Sequence, residues 1–364
     1  MAKEVYRKLQ KQLDQYSVGF PATASGVEIR ILEKLFTEEE AEISLHLSMG
    51  LEPPESIAER TKRDAKAVAA LLDRMANKGL LFRWCRNDTV KYGAIPFVIG
   101  IYEYQLKSMD RELAQMAEGY LAEVLGKNMT GLKPSLLLRT IPINRSVVVA
   151  HPVATYEDSR EIVKKQKMIA VANCICRVQQ GLIGHRCEKP QEVCFSFGSS
   201  ARYYIELGMG RQVSTEEALA ILDRCEEAGL VTQPFNVINP GGMCNCCGDC
   251  CGVLRVIKKH PRPIEMVVSN YYAAVDTDEC TGCETCLERC QMGAITIGED
   301  DVAEINLDRC IGCGLCVTTC PTAAIRLELK PEGQRYTPPA KGQELFEQMA
   351  QKRGKSLIPF TMAE

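Results

Sequence analysis

The sequence predicts an α+β protein of several domains: a helical N-terminal half closed by a hairpin, a mixed α/β middle region rich in cysteine, and a small C-terminal repeat of strands around cysteine loops. Three observations carry this expectation. Apolar residues recur at helical spacing over residues 27–92 and then give way to strand-like runs. Of 19 cysteines, all but Cys85 lie from residue 174 onward. Two cysteine runs near the C-terminus repeat with one spacing. At 364 residues there is room for two or three domains with their own cores.

The stretch "MAKEVYRKLQKQLDQY" reads as an amphipathic helix forming an arm over 1–26, without the apolar core and cleavage site of a secretory signal. Ile29, Leu32 and Phe36 then share a helix face, and Thr37 with Glu40 forms a capping box opening the next helix. "ESIAERT" is a short second unit. "DAKAVAALLDRMANKG" repeats the pattern through Val68, Leu71, Leu72 and Met75, with Lys78 in its last turn and Gly79 as the stop. "LLFRW" and "VKYGAIPF" flank a turn at "CRNDT", predicting two paired strands. Residues 27–95 therefore resemble a winged helix-turn-helix, about a fifth of the chain. In DNA-binding members the third helix enters the major groove, and Lys62, Arg63, Lys66, Arg74 and Lys78 gather around it here. Their value would lie in phosphate neutralisation. Such domains also serve as protein-contact modules, and Asp64 and Asp73 dilute the patch. A helical connector over 96–140 carries Tyr102, Leu106 and Met109 on one packing stripe, and "SLLLRTIPINRSVVVAHPV" leads into the middle domain.

The middle region, 141–265, opens on an apolar strand, "MIAVAN", that delivers Cys174 and Cys176 to the start of a loop. With Cys187 and Cys194 these thiols would complete a four-thiolate site. Further on, "MCNCCGDCC" packs Cys244, Cys246, Cys247, Cys250 and Cys251 together. In a helical turn Cys244, Cys247 and Cys251 would share a face, with Cys250 beside them and Cys246 partly turned away. Clustered thiols in a reducing compartment are metal ligands or redox groups. Two partitions fit: two further four-ligand sites, or one site drawing on both segments with spare thiols. Zinc is the alternative to iron here. Cys225 shares the Ala218/Ile221/Leu222 face of a helix with a capping box at Ser214 and Glu217, the setting of a core thiol. Cys85, in a turn beside Trp84, is a structural thiol. Of His46, His151, His185 and His260, only His185, two residues before Cys187, is placed where it could ligate, and a solvated loop histidine is the expected reading even there.

At 280–290 and 310–320, "CTGCETCLERC" and "CIGCGLCVTTC" both read C-x2-C-x2-C-x3-C. Three thiols on a tight loop supply three corners of a four-iron cube, and the fourth must come from elsewhere. "VDTDEC" and "INLDRC" precede the runs and "AITI" and "AIRL" follow them, so each half reads strand, cysteine loop, short helix, strand. The pattern resembles the bacterial-type dicluster ferredoxin, over 266–330. That resemblance implies one cluster on Cys280, Cys283, Cys286 and Cys320 and a second on Cys310, Cys313, Cys316 and Cys290. Gly282 and Gly312 suit the turning backbone. Pro321 follows Cys320 as the pattern expects, whereas Gln291 follows Cys290. Beyond 330, "PEGQRYTPPAKG" reads as a linker and "QELFEQMAQKRG" as a short helix that docks on the body.

End to end the chain is similar to ferredoxin-type iron–sulfur proteins of anaerobic bacteria and archaea. This implies an electron-transfer protein with two [4Fe–4S] clusters, one or two additional clusters in the middle region, and a redox partner such as a flavoprotein or an oxidoreductase complex. The doubled "CCG" at 246–252 also resembles the Cys-Cys-Gly runs of heterodisulfide reductase subunits, although those lie far apart. Two alternatives stand: a redox-sensing DNA-binding regulator, and an oxidoreductase subunit with a catalytic central cluster. A net charge of −3 and a pI near 6.0 argue against a surface built wholly for nucleic acid. No glycine loop of dinucleotide type appears, and no apolar run is long enough to span a membrane, so a cytoplasmic protein is expected.

Overall fold

The computed structural model describes residues 2–143 and 154–357; "NRSVVVAHPV", with His151, falls outside them. α1 (Ala2–Leu13), α2 (Val27–Leu35) and α3 (Glu38–Ser44) pack on one another through buried Leu9, Leu13, Ile31, Leu32 and Ile43, so the N-terminal arm belongs to the core. α3 starts where its cap requires: Thr37 accepts from the Glu40 N–H, and the Glu40 carboxylate accepts from the Thr37 N–H. α4 (Pro54–Thr61) places Pro54 in the first turn, where a missing N–H costs nothing. The Asp64 side chain caps α5 (Ala65–Asn77).

β1 (Phe82–Arg86) and β2 (Thr89–Gly93) form an antiparallel hairpin, turned by Asn87 and Asp88 in left-handed conformations. Cys85 therefore pairs with Val90 inside β1 and is not in the turn. The helix expected through 96–129 is broken: Ile99 has φ of 35°, and the Glu103 carboxylate accepts from the Gly100 N–H in place of a helical carbonyl. A single 3₁₀ turn follows at Glu103–Gln105, and the α-helix resumes only at α6 (Arg111–Met129), capped by Asp110.

The middle region is a five-stranded antiparallel sheet in the order β5-β3-β4-β7-β6. α7 (Ser159–Lys164) leads to β3 (Ile169–Asn173), α8 (Ile175–Leu182), β4 (Glu192–Phe197) and α9 (Gly198–Glu206). Then come β5 (Gly210–Val213), α10 (Thr215–Glu227), β6 (Val231–Pro234), β7 (Gly242–Cys246) and α11 (Gly252–Lys259). Cys225 is buried on the sheet side of α10, among Ile221, Leu222 and Leu230. At α10 the Ser214 hydroxyl accepts from the Glu217 N–H.

Two local expectations are overturned. Cys174 is the N-cap of α8 and Cys176 lies in its first turn, so the strand runs into a helix and not into a loop. Residues 244–246 are strand: β7 pairs with both β4 and β6, and those ladders take the backbone groups that a helical turn would need. Alternation then sends Cys244 and Cys246 to one face, with Asn245 between them. Asn245 is fully buried opposite, bonded to Thr232 and to the Val193 carbonyl.

The C-terminal repeat folds with pseudo-twofold logic. β8 (Tyr271–Val275) pairs antiparallel with β11 (Ile325–Leu329), and β9 (Ile295–Ile297) with β10 (Ala303–Ile305). α12 (Thr285–Arg289) is the short helix of the first half; its counterpart in the second is only a turn. α13 (Gly342–Lys352) docks through buried Leu345 and Met349, and Arg353 just beyond it bonds Asp14, tying the two ends of the chain together.

Candidate metal centres

Folding brings the two cysteine runs into each other. Cys280, Cys283, Cys286 and Cys320 line one cavity with Ile297 and Ile325. Cys290, Cys310, Cys313 and Cys316 line a second with Ile295 and Ile311. Each draws three thiols from one run and the fourth from the other. The crossing follows from strand pairing: β11, which leaves Cys320, lies against β8, which enters the first loop.

The loops are shaped for close approach. Gly282 and Gly312 have φ of 64° and 67°, and a Cβ at either would lie 2.2 Å from a backbone oxygen, of Asp301 and Tyr271 respectively. Only glycine fits. N–H groups point at sulfur in the same symmetric way: Ala303 to Cys280 at 3.4 Å, and Ala273 to Cys310 at 3.4 Å. Ala294 adds a bond to Cys290 at 3.2 Å. Such donors favour the thiolate over the thiol, and they are the levers by which a protein tunes a bound cluster. The two cavities differ in depth. Cys283 is exposed, and a hydrogen bond from Thr285 holds its pKa below the ordinary thiol value. Burial pushes Cys313 up to about 12 and raises Cys316 as well.

Residues 273–327 match the family model of the 4Fe-4S dicluster domain. This is an iron–sulfur protein. No curated protein and no solved structure matches the chain. The donor chemistry fits the group: in neither dicluster cavity do three sulfurs come within 4.8 Å of one another, wider than a single tetrahedral ion would hold them.

The dicluster domain is clamped onto the middle region by the residue that departs from the ferredoxin pattern. The Gln291 amide accepts from the Gly248 N–H at 2.9 Å and donates to the Gly229 carbonyl at 2.9 Å. Arg289 donates to the carbonyls of Glu226 and Glu227, at the negative end of α10. A proline at 291 would make neither side-chain bond. Sequence alone marked Gln291 as an exception; its partners lie more than 40 residues away.

Of the ten thiols of the middle region, all but the core thiol Cys225 divide six and three. Cys174, Cys176, Cys194, Cys244, Cys246 and Cys251 line a chamber of about 680 Å³. Each thiol's charge is coupled to that of two neighbours, in the closed order Cys174, Cys176, Cys251, Cys246, Cys244, Cys194 and back. The ring draws on both segments, so Cys174, Cys176, Cys187 and Cys194 do not form a site by themselves. Cys174 and Cys251 are the N-caps of α8 and α11, whose N-terminal partial charges favour anionic sulfur. No three ring sulfurs fall within 4.8 Å of one another. Cys187, Cys247 and Cys250 form a separate, tighter group. His185 is exposed and takes no part in it.

Arg177 stands between the two groups. It is 2 % exposed, and its single hydrogen bond is a long one, 3.4 Å, to the Asn245 carbonyl; Nε and Nη1 have no partner. Burial works against its charge, yet Cys174, Cys247, Cys246 and Cys194 outweigh burial and its pKa is raised. A buried guanidinium with no carboxylate beside it is stabilised by whatever anionic sulfur surrounds it.

Glu103 faces the chamber from the broken helix, and burial pushes its carboxyl up to about 8. Sequence reading passed it over; no local motif marks it.

Lys62, Lys66 and Arg74 are exposed around α5. Arg63 instead pairs with Glu39 and Glu42, and Lys78 with Glu40, so the acidic residues of α3 offset part of the basic patch. Among the described residues no helix is long and apolar enough to cross a membrane.

Proposed function

We propose that this protein transfers single electrons between a partner redox protein and a third centre held in the chamber by the six-thiol ring. A bound [4Fe–4S] group takes up and releases one electron with little change of shape. In the dicluster domain, Cys280, Cys283, Cys286 and Cys320 would hold one such group, and Cys290, Cys310, Cys313 and Cys316 the other. The chain's own residues do the rest. Exposed Cys283 offers the surface where a partner, a flavoprotein or an oxidoreductase complex, would dock. Buried Cys310 and Cys316 keep water from the inner site. The observation that carries the reading is the Gln291 clamp: Cys290 is joined through its neighbour's amide to Gly248, within the cysteine run that contributes Cys244, Cys246 and Cys251 to the ring.

Anaerobically purified protein is expected to contain more than eight irons per chain and to show spin-coupled paramagnetic signals on reduction, since the dicluster domain accounts for about eight. The Gln291→Pro variant should keep the dicluster signals while the remaining iron is reduced at least ten-fold more slowly. A wild-type content of eight irons would refute the third centre. Unchanged reduction in the variant would refute the clamp as the route.

The chamber favours a second reading, a catalytic central site. Its volume lies in the range of small-molecule pockets, and Glu103, protonated at neutral pH, is a proton donor inside it. A small thiol added to the reduced protein should then shift the paramagnetic signal of the central iron alone. If the spectrum is unmoved, the chamber serves electron transfer only. No observation favours the DNA-binding regulator, and the Arg63 and Lys78 pairs reduce the basic patch it would need.

A further inference from the structure

We propose that Cys187, Cys247 and Cys250 hold a single ion of the zinc class, separate from the iron–sulfur centres, with water at its fourth position. The proposal stands whether or not the chamber holds a cluster.

Spacing is the first ground. All three sulfurs lie within 4.8 Å of one another, and Cys187 and Cys247 are 3.9 Å apart. A tetrahedral ion with metal–sulfur bonds of about 2.3 Å holds its thiolates about 3.8 Å apart. In the dicluster cavities and the six-thiol ring no three sulfurs come that close, so one chain contains two classes of cysteine site. Position is the second ground. None of the three lines the chamber. The strand that faces Cys244 and Cys246 toward the chamber ends at Cys246, and the turn after it carries Cys247 and Cys250 into the apolar cluster of Val193, Leu230 and Cys225.

Charge is the third. A divalent ion on three thiolates carries net charge −1, and Arg177, buried and short of partners, lies in Coulombic range of Cys247. Ion and arginine neutralise each other in a region where neither charge would be stable alone. The fourth position follows from what is missing: among the described residues no histidine or carboxylate joins the group. Cys187 is partly exposed on a stretch between α8 and β4 without regular structure, which leaves the ion open to water on that side. Binding would fasten this stretch to the turn ahead of α11. The open position is the layout of a Lewis-acid site more than of a closed structural one.

Metal analysis and zinc-edge X-ray absorption of the full chain, purified without oxygen from zinc-supplemented cells, test this. About one zinc per chain is expected, with three sulfur neighbours and one oxygen or nitrogen. In Cys250→Ser, zinc should fall at least ten-fold with iron content and dicluster signals unchanged. Absence of zinc from the wild type, or loss of iron in the variant, would overturn the proposal, the latter by making these thiols cluster ligands. Four sulfur neighbours would also overturn it. Should the variant fail to fold, the wild-type absorption spectrum decides alone.

Discussion

Replacing Cys320 by alanine removes the metal centre built on Cys280, Cys283 and Cys286, and spares the one that includes its sequence neighbours Cys310, Cys313 and Cys316. This is the expected result because the two cavities exchange their fourth thiols. Iron should fall by about four per chain, and the coupled paramagnetic pattern should collapse to the signal of one isolated centre. Double variants identify which centre is lost. Cys283→Ala added to Cys320→Ala should cost no further iron, because both changes strike one site, whereas Cys313→Ala added to it should cost a second set. Additive losses in the first pair would show that each run serves its own centre. The strand ladders are not otherwise disturbed, since Cys320 lies outside them.

The Arg177→Leu variant should have opposite effects on the loaded and stripped protein. With metal bound, anionic sulfur surrounds the guanidinium; removing the cation leaves that charge buried and unpaired, a loss of about 3–5 kcal/mol. Without metal and at low pH the thiols are neutral, and it is then the arginine that lacks a counter-charge. Leucine there should be neutral or stabilising. Thermal unfolding of both proteins, loaded and chelator-stripped, measures the difference. Equal destabilisation in the two states would mean that Arg177 is held by packing and not by the thiolates.

The places where sequence reading succeeded share a short range. The Thr37 cap, the apolar face of α5 and the core position of Cys225 each depend on residues within a turn or two, so spacing alone reports them. The dicluster loops are legible for the same reason, with ligands three or four residues apart and a repeat that states the pattern twice. The break at Ile99 was missed because the carboxylate of Glu103, not a rule of periodicity, takes the Gly100 N–H.

The sequence by itself determined that this chain binds metal through thiols, and which two loops make the dicluster domain. How the nine clustered thiols of the middle region divide was decided by the tertiary structure. Over the eight residues from Cys244 to Cys251 an alternating and a helical reading fit equally well, and no local energy separates them. The β4 and β6 ladders do: by claiming the backbone of 242–246 they send Cys244 and Cys246 into the chamber, and the turn past the strand end carries Cys247 and Cys250 to the other side, to meet Cys187. Gln291 is the same lesson in one residue, an exception to a pattern whose purpose appears only when Gly229 and Gly248 are folded against it.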